Sequence, residues 1–261
     1  MLKGLYTAYT GMVNEQHRMD VMTHNLANAT TNGYKKEGAT SQAFNDVLTY
    51  KIKDLSEGRG IAKQLGKNNF GVKIGEGYTD YSEGPIRESD SVFDLAISGP
   101  GFFEISYTNK AGETSTKYTR NGNFAIDFNG YLVTHDGDYV MGTNNNRIRL
   151  DPLLDFRVDT SGNIMQGEEN TPVAQIRIRD FEDYNYLEKF GENMYQTVDG
   201  ARPIDAEEAR VYQNYLEGSN ISVVTEMVNM INISRAYETN QKVIQTMDGS
   251  LEIAVNQLGK L

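Results

Sequence analysis

Residues 25–35 read NLANATTNGYK and mark the point where the sequence changes from a helical pattern to a β-rich one. The stretch offers no catalytic acid, base or nucleophile of an obvious kind. Asn and Gly accept the left-handed backbone conformation that commonly ends a helix, and Asn and Thr side chains bond freed backbone groups. We therefore expect a joint, with the first helix ending at Asn28 or at Asn32–Gly33 and an extended connection beginning at Tyr34.

The segment before this joint has the apolar spacing of a helix that packs along one stripe. Residues at alternating intervals of three and four form the stripe, which predicts a helix up to the joint. They are Leu2, Leu5, Tyr9, Met12, Gln16, Met19, Thr23 and Leu26. Since Gln16 and Thr23 are polar, this stripe is a poor core by itself.

The C-terminal end repeats the pattern and predicts a second long helix. One set of heptad positions is wholly apolar: Val223, Met230, Tyr237, Ile244, Leu251 and Leu258. The other set mixes apolar and polar side chains: Met227, Ser234, Gln241, Asp248 and Val255. The preceding residues 218–220, Gly-Ser-Asn, suit a helix N-cap. Because isolated helices are marginal in water, both ends need a packing partner.

Turn signals dominate the middle of the chain. Asn, Asp or Ser precedes Gly at 121–122, 129–130, 136–137 and 161–162. The intervening segments are short and rich in β-branched and aromatic residues, as in FFEISY at 102–107 and NFAIDF at 123–128. They predict an antiparallel, hairpin-rich β domain.

Together these patterns predict an α+β protein in four segments. Residues 1–35 form the N-terminal helix and joint, 36–69 an extended linker, 70–215 the β-rich outer domain and 216–261 the C-terminal helix. We expect the two helices to pair as a coiled coil. The pattern leaves open whether they pack within one chain or against copies of it.

Composition argues against several classes of function. The formal net charge is -11, with 36 acidic and 25 basic side chains, which disfavours nucleic acid or anionic lipid as a partner. The chain has no cysteine and hence no disulfide or thiolate site. No apolar window is long enough to predict a membrane span, and MLKGLYTAYTG lacks the apolar core of a cleaved signal peptide.

Candidate catalytic or metal-binding residues are few. His17, Asp20 and His24 can share a helix edge, but they lack the His-x-x-x-His spacing of a metal pair, and surface positions are favoured. GIAKQLGK at 60–67 departs from a phosphate-binding loop in the spacing of its glycines. Five carboxylates flank predicted turns: Asp127, Asp136, Asp138, Asp155 and Asp159. They keep an envelope hydrolase or sugar-binding domain as the alternative, although Asp is common in turns for local bonding. We expect no enzymatic activity, cofactor or bound metal.

Four blocks of sequence, in order, resemble the flagellar basal-body rod and hook protein family. In the first, Asn25, Leu26, Ala27, Asn28, Thr31, Gly33, Tyr34 and Lys35 match the family's N-terminal motif without a gap. DLAISGPGFFEI at 94–105 and YTRNGNFAIDFNGYLVTHDGDYVMG at 118–142 are similar to its central strands and hairpins. YLEGSNISVVTEMVNMINISRAYETNQKVIQTMD at 215–248 is similar to its C-terminal helix. The length looks most like a distal rod member, and next most like a proximal one.

This resemblance implies a structural subunit of a helical tube that acts as a drive shaft, with paired terminal helices inside and the β domain outside. The eight matched residues then form an assembly motif, in which the Tyr34 ring anchors against a neighbouring subunit. The implied partners are copies of the chain, neighbouring rod and hook proteins and the flagellar type III export apparatus, with no nucleic acid and no membrane insertion. The implied location is the basal body outside the cytoplasmic membrane, in the periplasm or cell wall, reached without a cleaved signal peptide.

Overall fold

The computed structural model describes residues 2–51, 63–167, 171–206 and 208–258. Within these ranges the chain is α+β, with helix α1 at Leu2–Ala27, helix α2 at Val223–Leu258 and strands between them, as the sequence predicts. The chain divides into two compact units. The helical unit comprises Met1–Ala27, Glu37–Asp80 and Ser222–Leu261. The β unit comprises Asn28–Lys36 and Tyr81–Ile221, so the chain passes between the units four times.

Helices α1 and α2 pack against each other in the helical unit. Gly4 of α1 faces Met247 of α2, and Gly11 faces Asn240. Residue numbers rise along one helix as they fall along the other, so the two run antiparallel. The absence of a side chain at Gly4 and Gly11 leaves room for Met247 and Asn240 at the contact.

The shielded face of α2 keeps heptad spacing but differs in one set of positions from the sequence prediction. The residues that are at least partly buried at intervals of four and three are Glu226, Met230, Ile233, Tyr237, Asn240, Ile244, Met247, Leu251 and Ala254. Of the apolar set, Met230, Tyr237, Ile244 and Leu251 are partly buried, whereas Val223 is exposed and the side chain of Leu258 lies outside the described ones.

The second heptad set of α2 lies one residue earlier than predicted. Met227 and Val255 are 49% and 71% exposed, whereas Ile233 is 3% exposed. A second set of positions, either three or four residues after each member of the row Met230, Tyr237, Ile244 and Leu251, would fit heptad spacing equally well. Burial of Ile233 and Met247 in place of Ser234 and Asp248 decides between them, because apolar area gains more from leaving water.

The predicted stripe of α1 is shielded at every second position. Leu5, Met12, Met19 and Leu26 are partly buried. Tyr9, Gln16 and Thr23 are exposed, and the side chain of Leu2 lies outside the described ones. The buried positions of α1 include Ala8, Asn14 and Asn25, off the predicted stripe, so α1 packs on more than α2 alone.

Four strands join the helices in the helical unit. They are β1 (Glu37–Ala43), β2 (Val47–Lys51), β3 (Lys63–Asn68) and β4 (Val72–Thr79). β1 pairs with β4 and β2 with β3, both antiparallel. The expected linker at 36–69 thus carries three strands in its described part, while residues 52–62 lie outside it. β1, whose sequence EGATSQA has no large apolar side chain, carries no apolar pattern that would predict a strand.

Side chains of α1 form hydrogen bonds with β1 and with the connection between β3 and β4. Asn14 Nδ2 donates to Ser41 Oγ at 2.9 Å, and Ser41 Oγ donates back to Asn14 Oδ1 at 3.1 Å. Thr10 Oγ1 donates to the Phe70 carbonyl at 3.3 Å. A two-stranded sheet has only marginal stability alone, so these hydrogen bonds to α1 help to stabilise the paired strands.

In its described residues, the β unit contains sixteen short strands and a 3-10 helix at Tyr184–Tyr186. The strands are β5 (Ile86–Glu88), β6 (Leu95–Ser98), β7 (Phe102–Thr108), β8 (Thr114–Thr119), β9 (Phe124–Ile126), β10 (Leu132–Thr134), β11 (Tyr139–Val140), β12 (Phe156–Val158), β13 (Asn163–Gln166), β14 (Pro172–Gln175), β15 (Ile178–Phe181), β16 (Leu187–Phe190), β17 (Met194–Thr197), β18 (Pro203–Asp205), β19 (Arg210–Gln213) and β20 (Tyr215–Glu217). The main sheet runs β16-β17-β8-β7-β11-β10-β9, and β15 joins β7 to β18. Smaller sheets are β12-β13-β14, β19-β6 and β20-β5, and every pair is antiparallel.

Three of the four predicted glycine turns connect neighbouring strands. Gly130, Gly137 and Gly162 have positive φ in the turns after β9, β10 and β12. Gly122 is different, because β8 and β9 are not neighbours in the sheet. Its carbonyl accepts from Leu95 N at 3.0 Å, and a Cβ there would collide with the Leu95 carbonyl. Glycine at 122 therefore permits close backbone approach instead of a hairpin.

The β unit has two apolar clusters. The larger consists of Leu95, Ile97, Phe103, Phe124, Leu132, Val140, Ile148, Leu150, Phe156, Ile164, Ile176 and Val211. The smaller consists of Phe102, Tyr118, Phe181, Leu187 and Tyr195. Phe102 and Phe103 point to opposite faces of β7, as period-two alternation requires, so this one strand separates the clusters.

Candidate functional site

The joint motif NLANATTNGYK is divided between the two units. Asn25, Leu26 and Ala27 end α1, whereas Asn28–Lys36 belongs to the β unit. Asn25 is fully buried and bonds the backbone of Glu37 twice, donating to its carbonyl at 2.7 Å and accepting from its N–H at 3.0 Å. This pair of bonds ties the end of α1 to the first residue of β1.

A compact turn follows α1. Thr31 N donates to the Asn28 carbonyl at 3.2 Å, and Thr31 Oγ1 lies 3.2 Å from Asn28 Oδ1. Gly33 has a φ of +69°, the left-handed conformation that its Asn-Gly context predicts. Since the helix has already ended at Ala27, close to the first of the two predicted ends, Gly33 shapes the turn and not the helix terminus.

Gly33 lies directly against the connection between β8 and β9. A Cβ on this residue would sit 2.6 Å from the carbonyl carbon of Arg120, and closer still to Asn121 N. Gly33 N also donates to the carbonyl of Glu217 at 2.8 Å. The position thus requires glycine for its φ and for the space around it.

Tyr34 is fully buried inside the β unit. The Lys189 ammonium lies 3.9 Å from the centroid of its ring, within cation–π distance. The expectation that this ring packs against a neighbouring subunit is therefore corrected, because its own chain encloses it. Burial of the Tyr34 ring therefore stabilises the β unit.

Lys35 enters a buried ion cluster. Its Nζ donates to Glu217 Oε1 at 2.6 Å and to the Ser82 carbonyl at 2.7 Å. Glu217 Oε1 also accepts from Gly84 N at 2.9 Å, and Glu217 Oε2 accepts from Arg120 Nη1 at 3.2 Å. One carboxylate therefore joins residues that are far apart in the sequence.

The cluster holds two cations and one anion in the interior. Lys35, Arg120 and Glu217 are 1%, 4% and 1% exposed. Burial lowers the pKa of Lys35, the charge of Glu217 opposes this shift, and Arg120 adds to it. Arg120 has further acceptors, since Nη1 lies 3.4 Å from the Ile97 carbonyl and Nη2 donates to the Gly99 carbonyl at 2.8 Å. Those carbonyl dipoles partly replace the missing second anion.

Asn220 completes the arrangement. Its Oδ1 accepts from Lys36 N at 2.8 Å, and its Nδ2 donates to the carbonyl and hydroxyl of Ser82 at 3.3 and 3.1 Å. We call the group formed by Lys35, Lys36, Ser82, Gly84, Arg120, Glu217 and Asn220 the clasp. It cross-links four parts of the β unit: residues 35–36, 82–84 and 217–220, and Arg120 after β8. The predicted N-cap residue Asn220 thus bonds to the joint, three residues before α2 begins.

Comparison with known proteins decides the family. Three family models match in order: "Flagella basal body rod protein" at residues 5–35, "Flagellar hook protein FlgE/F/G D1 domain" at 96–180 and "Flagellar basal body rod FlgEFG protein C-terminal" at 212–258. The flagellar basal-body rod protein FlgG of Buchnera aphidicola subsp. Schizaphis graminum is 34% identical, covering 97% of this chain and 98% of its own. The chain belongs to the flagellar basal-body rod protein family.

Other rod-family relatives match over nearly their full length as well. The rod protein FlgG of Bacillus subtilis is 32% identical, covering 98% of this chain and 99% of its own. The rod protein FlgF of Caulobacter vibrioides is 30% identical, with both chains covered completely. The matched segments contain most of the clasp's long-range partners, from Lys35 at the end of the first to Glu217 and Asn220 in the last.

In this rod-family chain, the clasp residues outside the motif lack an obvious sequence signal. Glu217 stands in YLEGSN, where an acid beside glycine looks like an exposed loop residue. Its partner Lys35 is 182 positions away, and periodicity carries no information over that distance. The place of Lys35 next to Tyr34 in an unbroken motif is the one hint in the sequence, and it names no partner.

Two of the five turn carboxylates accept hydrogen bonds from residues one or two positions away, and a third accepts one from β7. Asp127 Oδ2 accepts from Asn129 Nδ2 at 3.1 Å, and Asp159 Oδ1 accepts from Thr160 N at 2.7 Å. Asp138 accepts from Thr108 N at 3.3 Å, and burial raises its pKa. Across the residues that the structure describes, no three His, Asp or Glu side chains are grouped as metal ligands. In the same ranges, neither helix is apolar enough to cross a bilayer.

Proposed function

We propose that the chain is a structural, non-enzymatic subunit of the flagellar basal-body rod and assembles with copies of itself into a helical tube. The observation that carries this proposal is the match to rod proteins along almost the entire chain, from α1 through the β unit to α2. The tube serves as a drive shaft, so the role of the molecule is to transmit torque through packed subunits.

The distal rod is the proposed position. The relatives named FlgG, the distal rod protein, include the chains from Buchnera and Bacillus at 34% and 32% identity. The FlgF relative, from the proximal rod, is 30% identical, so the margin is small but favours the distal type. Neighbouring rod and hook proteins are then the partners at the two ends of the distal segment.

An exposed apolar face of α2 supports assembly through the helices. Val224, Val228 and Ile231 are 73%, 52% and 53% exposed, and their spacing of four and three places them on one side of the helix. A soluble monomer seldom leaves such a row uncovered. We assign it to neighbouring copies of the chain, with α1 and α2 pairing as a coiled coil in the inner layer. The antiparallel contact at Gly4 and Gly11 and the heptad spacing of α2 support that pairing.

The proposed location is the basal body outside the cytoplasmic membrane, reached through the flagellar type III apparatus without a cleaved signal. A chain that passes a narrow channel must be largely unfolded in transit. The lack of cysteine fits this route, since no disulfide has to form or break.

The test places a charge on the exposed face of α2 in the native bacterium. Ile231→Lys should abolish swimming and leave basal bodies without a complete rod, because a lysine there must be buried between subunits. Asn232→Lys adds the same charge at the next exposed position of the same helix and should have a smaller effect. Electron microscopy of isolated basal bodies and motility in soft agar give the readouts.

Two outcomes would count against the proposal. Normal rods in a strain that lacks the whole chain would overturn the rod function. Normal rods with Ile231→Lys, when the deletion strain has none, would overturn only the assignment of this face.

A further inference from the structure

The chain connections between the two units begin next to the clasp. The four passages follow Ala27, Lys36, Asp80 and Ile221. Lys36 is itself a clasp residue, and Ser82 and Asn220 each stand within two positions of a passage. The passage after Ala27 leads through the turn to Gly33. Three of the four ends of the β unit's chain segments therefore lie within two residues of a clasp bond.

We propose that the clasp is the mechanical fastening of the β unit, the place where force arriving along the chain from the helical unit is resisted. The proposal rests on the rod function for its purpose. A subunit that transmits torque has to pass force between its terminal helices and its β domain. Covalent chain carries that force into the β unit at Asn28, Lys36, Tyr81 and Ile221, and the clasp bonds these entry segments to one another.

The hydrogen bonds and ion pairs of the clasp are suited to resisting separation of the segments that they join. Its bonds join segments 33–36, 82–84 and 217–220 with Arg120, so no two of these segments can separate without breaking several contacts together. The Lys35–Glu217 bond is 2.6 Å long, charged and shielded from water, and such bonds are stronger than exposed ones. Gly33 adds a close backbone contact with Arg120 and Asn121 beside the same segment.

The experiment is to stretch single full-length chains held at residues 1 and 261. After the helical unit has unfolded, the segment 37–80 remains a slack loop as long as the clasp holds Asn28–Lys36 to the β unit. Rupture of the clasp then adds residues 28–80 to the stretched chain. At an extended length of 3.3–3.6 Å per residue, this release should appear as a step of about 180 Å that precedes unfolding of the β sheets.

The chain offers a matched pair of amides for the test. Asn220 accepts one bond and donates two within the clasp. Gln213 likewise accepts one bond, from Val158 N, and donates two, to the Val92 and Phe156 carbonyls, away from the clasp. Asn220→Ala and Gln213→Ala therefore remove similar bonding from the same unit. Glu217→Gln, which removes the anion that bonds both Lys35 and Arg120, serves as a second clasp variant if Asn220→Ala does not fold.

The expected result is that the 180 Å step shifts to lower force or disappears in Asn220→Ala and keeps its force in Gln213→Ala, although urea unfolds both variants more easily than the natural chain. Equal shifts in both variants, no shift in either, or no such step in the natural chain would overturn the proposal. Failure of the rod function would show separately, as normal basal bodies in the deletion strain. The stretching result does not depend on that outcome.

Discussion

At the scale of single residues, Glu217 is the centre of charge balance in the β unit, since it is the only carboxylate within the clasp. Glu217→Gln keeps the shape of the side chain but leaves Lys35 and Arg120 as buried cations without the anion that bonds them both. Removing one partner of a buried ion pair typically costs about 3–5 kcal/mol. We expect that loss in the free energy of unfolding of the β unit, measured by urea titration with far-ultraviolet circular dichroism.

Lys35→Met is the matched comparison for Glu217→Gln. It removes the surplus cation and leaves the Arg120–Glu217 pair, while the Ser82 carbonyl still accepts from Asn220. The loss should be about 1 kcal/mol or less, because an apolar replacement within a buried ionic group is often nearly neutral. Equal losses in the two variants would contradict the charge balance described for the clasp.

Gly33 gives a second prediction at this scale. Gly33→Ala should destabilise the β unit by about 2–5 kcal/mol, the sum of the left-handed backbone cost and the collision with Arg120 and Asn121. Gly112→Ala is the control, since Gly112 has a φ of +85° but open space around its Cα and should lose only about 1–2 kcal/mol. Thermal unfolding of both variants separates the cost of the left-handed backbone from the cost of the collision. Equal losses of stability in the two variants would show that the structure relaxes around the alanine at position 33 without cost.

Individual residues were predictable where local chemistry alone sets their conformation. The left-handed Gly33 follows from its Asn-Gly context, and Gly130 and Gly137 follow from the turns that they occupy. Burial of Tyr34 and Lys35 in their own chain was not predictable, because the enclosing groups come from Arg120, Lys189 and Glu217. Those groups are distant in the sequence, and only the fold brings them to the motif.

At the scale of elements, the contact face of α2 makes a sharp prediction. Ile233→Ala should destabilise the helical unit by about 2–4 kcal/mol, since Ile233 is almost fully buried there. Met227→Ala should change its stability by no more than about 0.5 kcal/mol, because Met227 is exposed in the single chain. Helix melting followed at 222 nm measures both. A larger loss for Met227→Ala would restore the heptad set predicted from the sequence.

Both helices and the β-rich character of residues 70–215 could be predicted from the sequence, and strands β1 to β3 in the expected linker could not. The helices have an apolar period that survives a few polar positions, and strands such as β7 are strongly apolar. β1 reads EGATSQA, with no large apolar side chain to mark a face. It forms because its backbone pairs with β4 and because Asn14 and Asn25 of α1 bond to Ser41 and Glu37.

At the scale of the whole molecule, the chain order of the units was the least predictable feature. The sequence suggests consecutive segments, whereas the β unit takes up Asn28–Lys36 before the chain returns for β1–β4. Local patterns assign the motif to the end of α1 because it follows that helix directly. Its inclusion in the β unit depends on the clasp and on the burial of Tyr34, which are long-range contacts.

This arrangement predicts that the β unit needs the joint motif in order to fold stably. A chain beginning at Glu37 and a chain beginning at Asn28 both lack α1, and they differ only in residues 28–36. The shorter chain empties the site of Tyr34 and removes Lys35 from Glu217. Loss of a buried aromatic side chain typically costs about 3–5 kcal/mol, so the β unit of the chain from Glu37 should be less stable by at least that amount. Urea unfolding detected by near-ultraviolet circular dichroism of the buried tyrosines measures the difference. Equal midpoints and slopes would mean that Asn28–Lys36 lies on the β unit without stabilising it, and the motif would then have to act only between subunits.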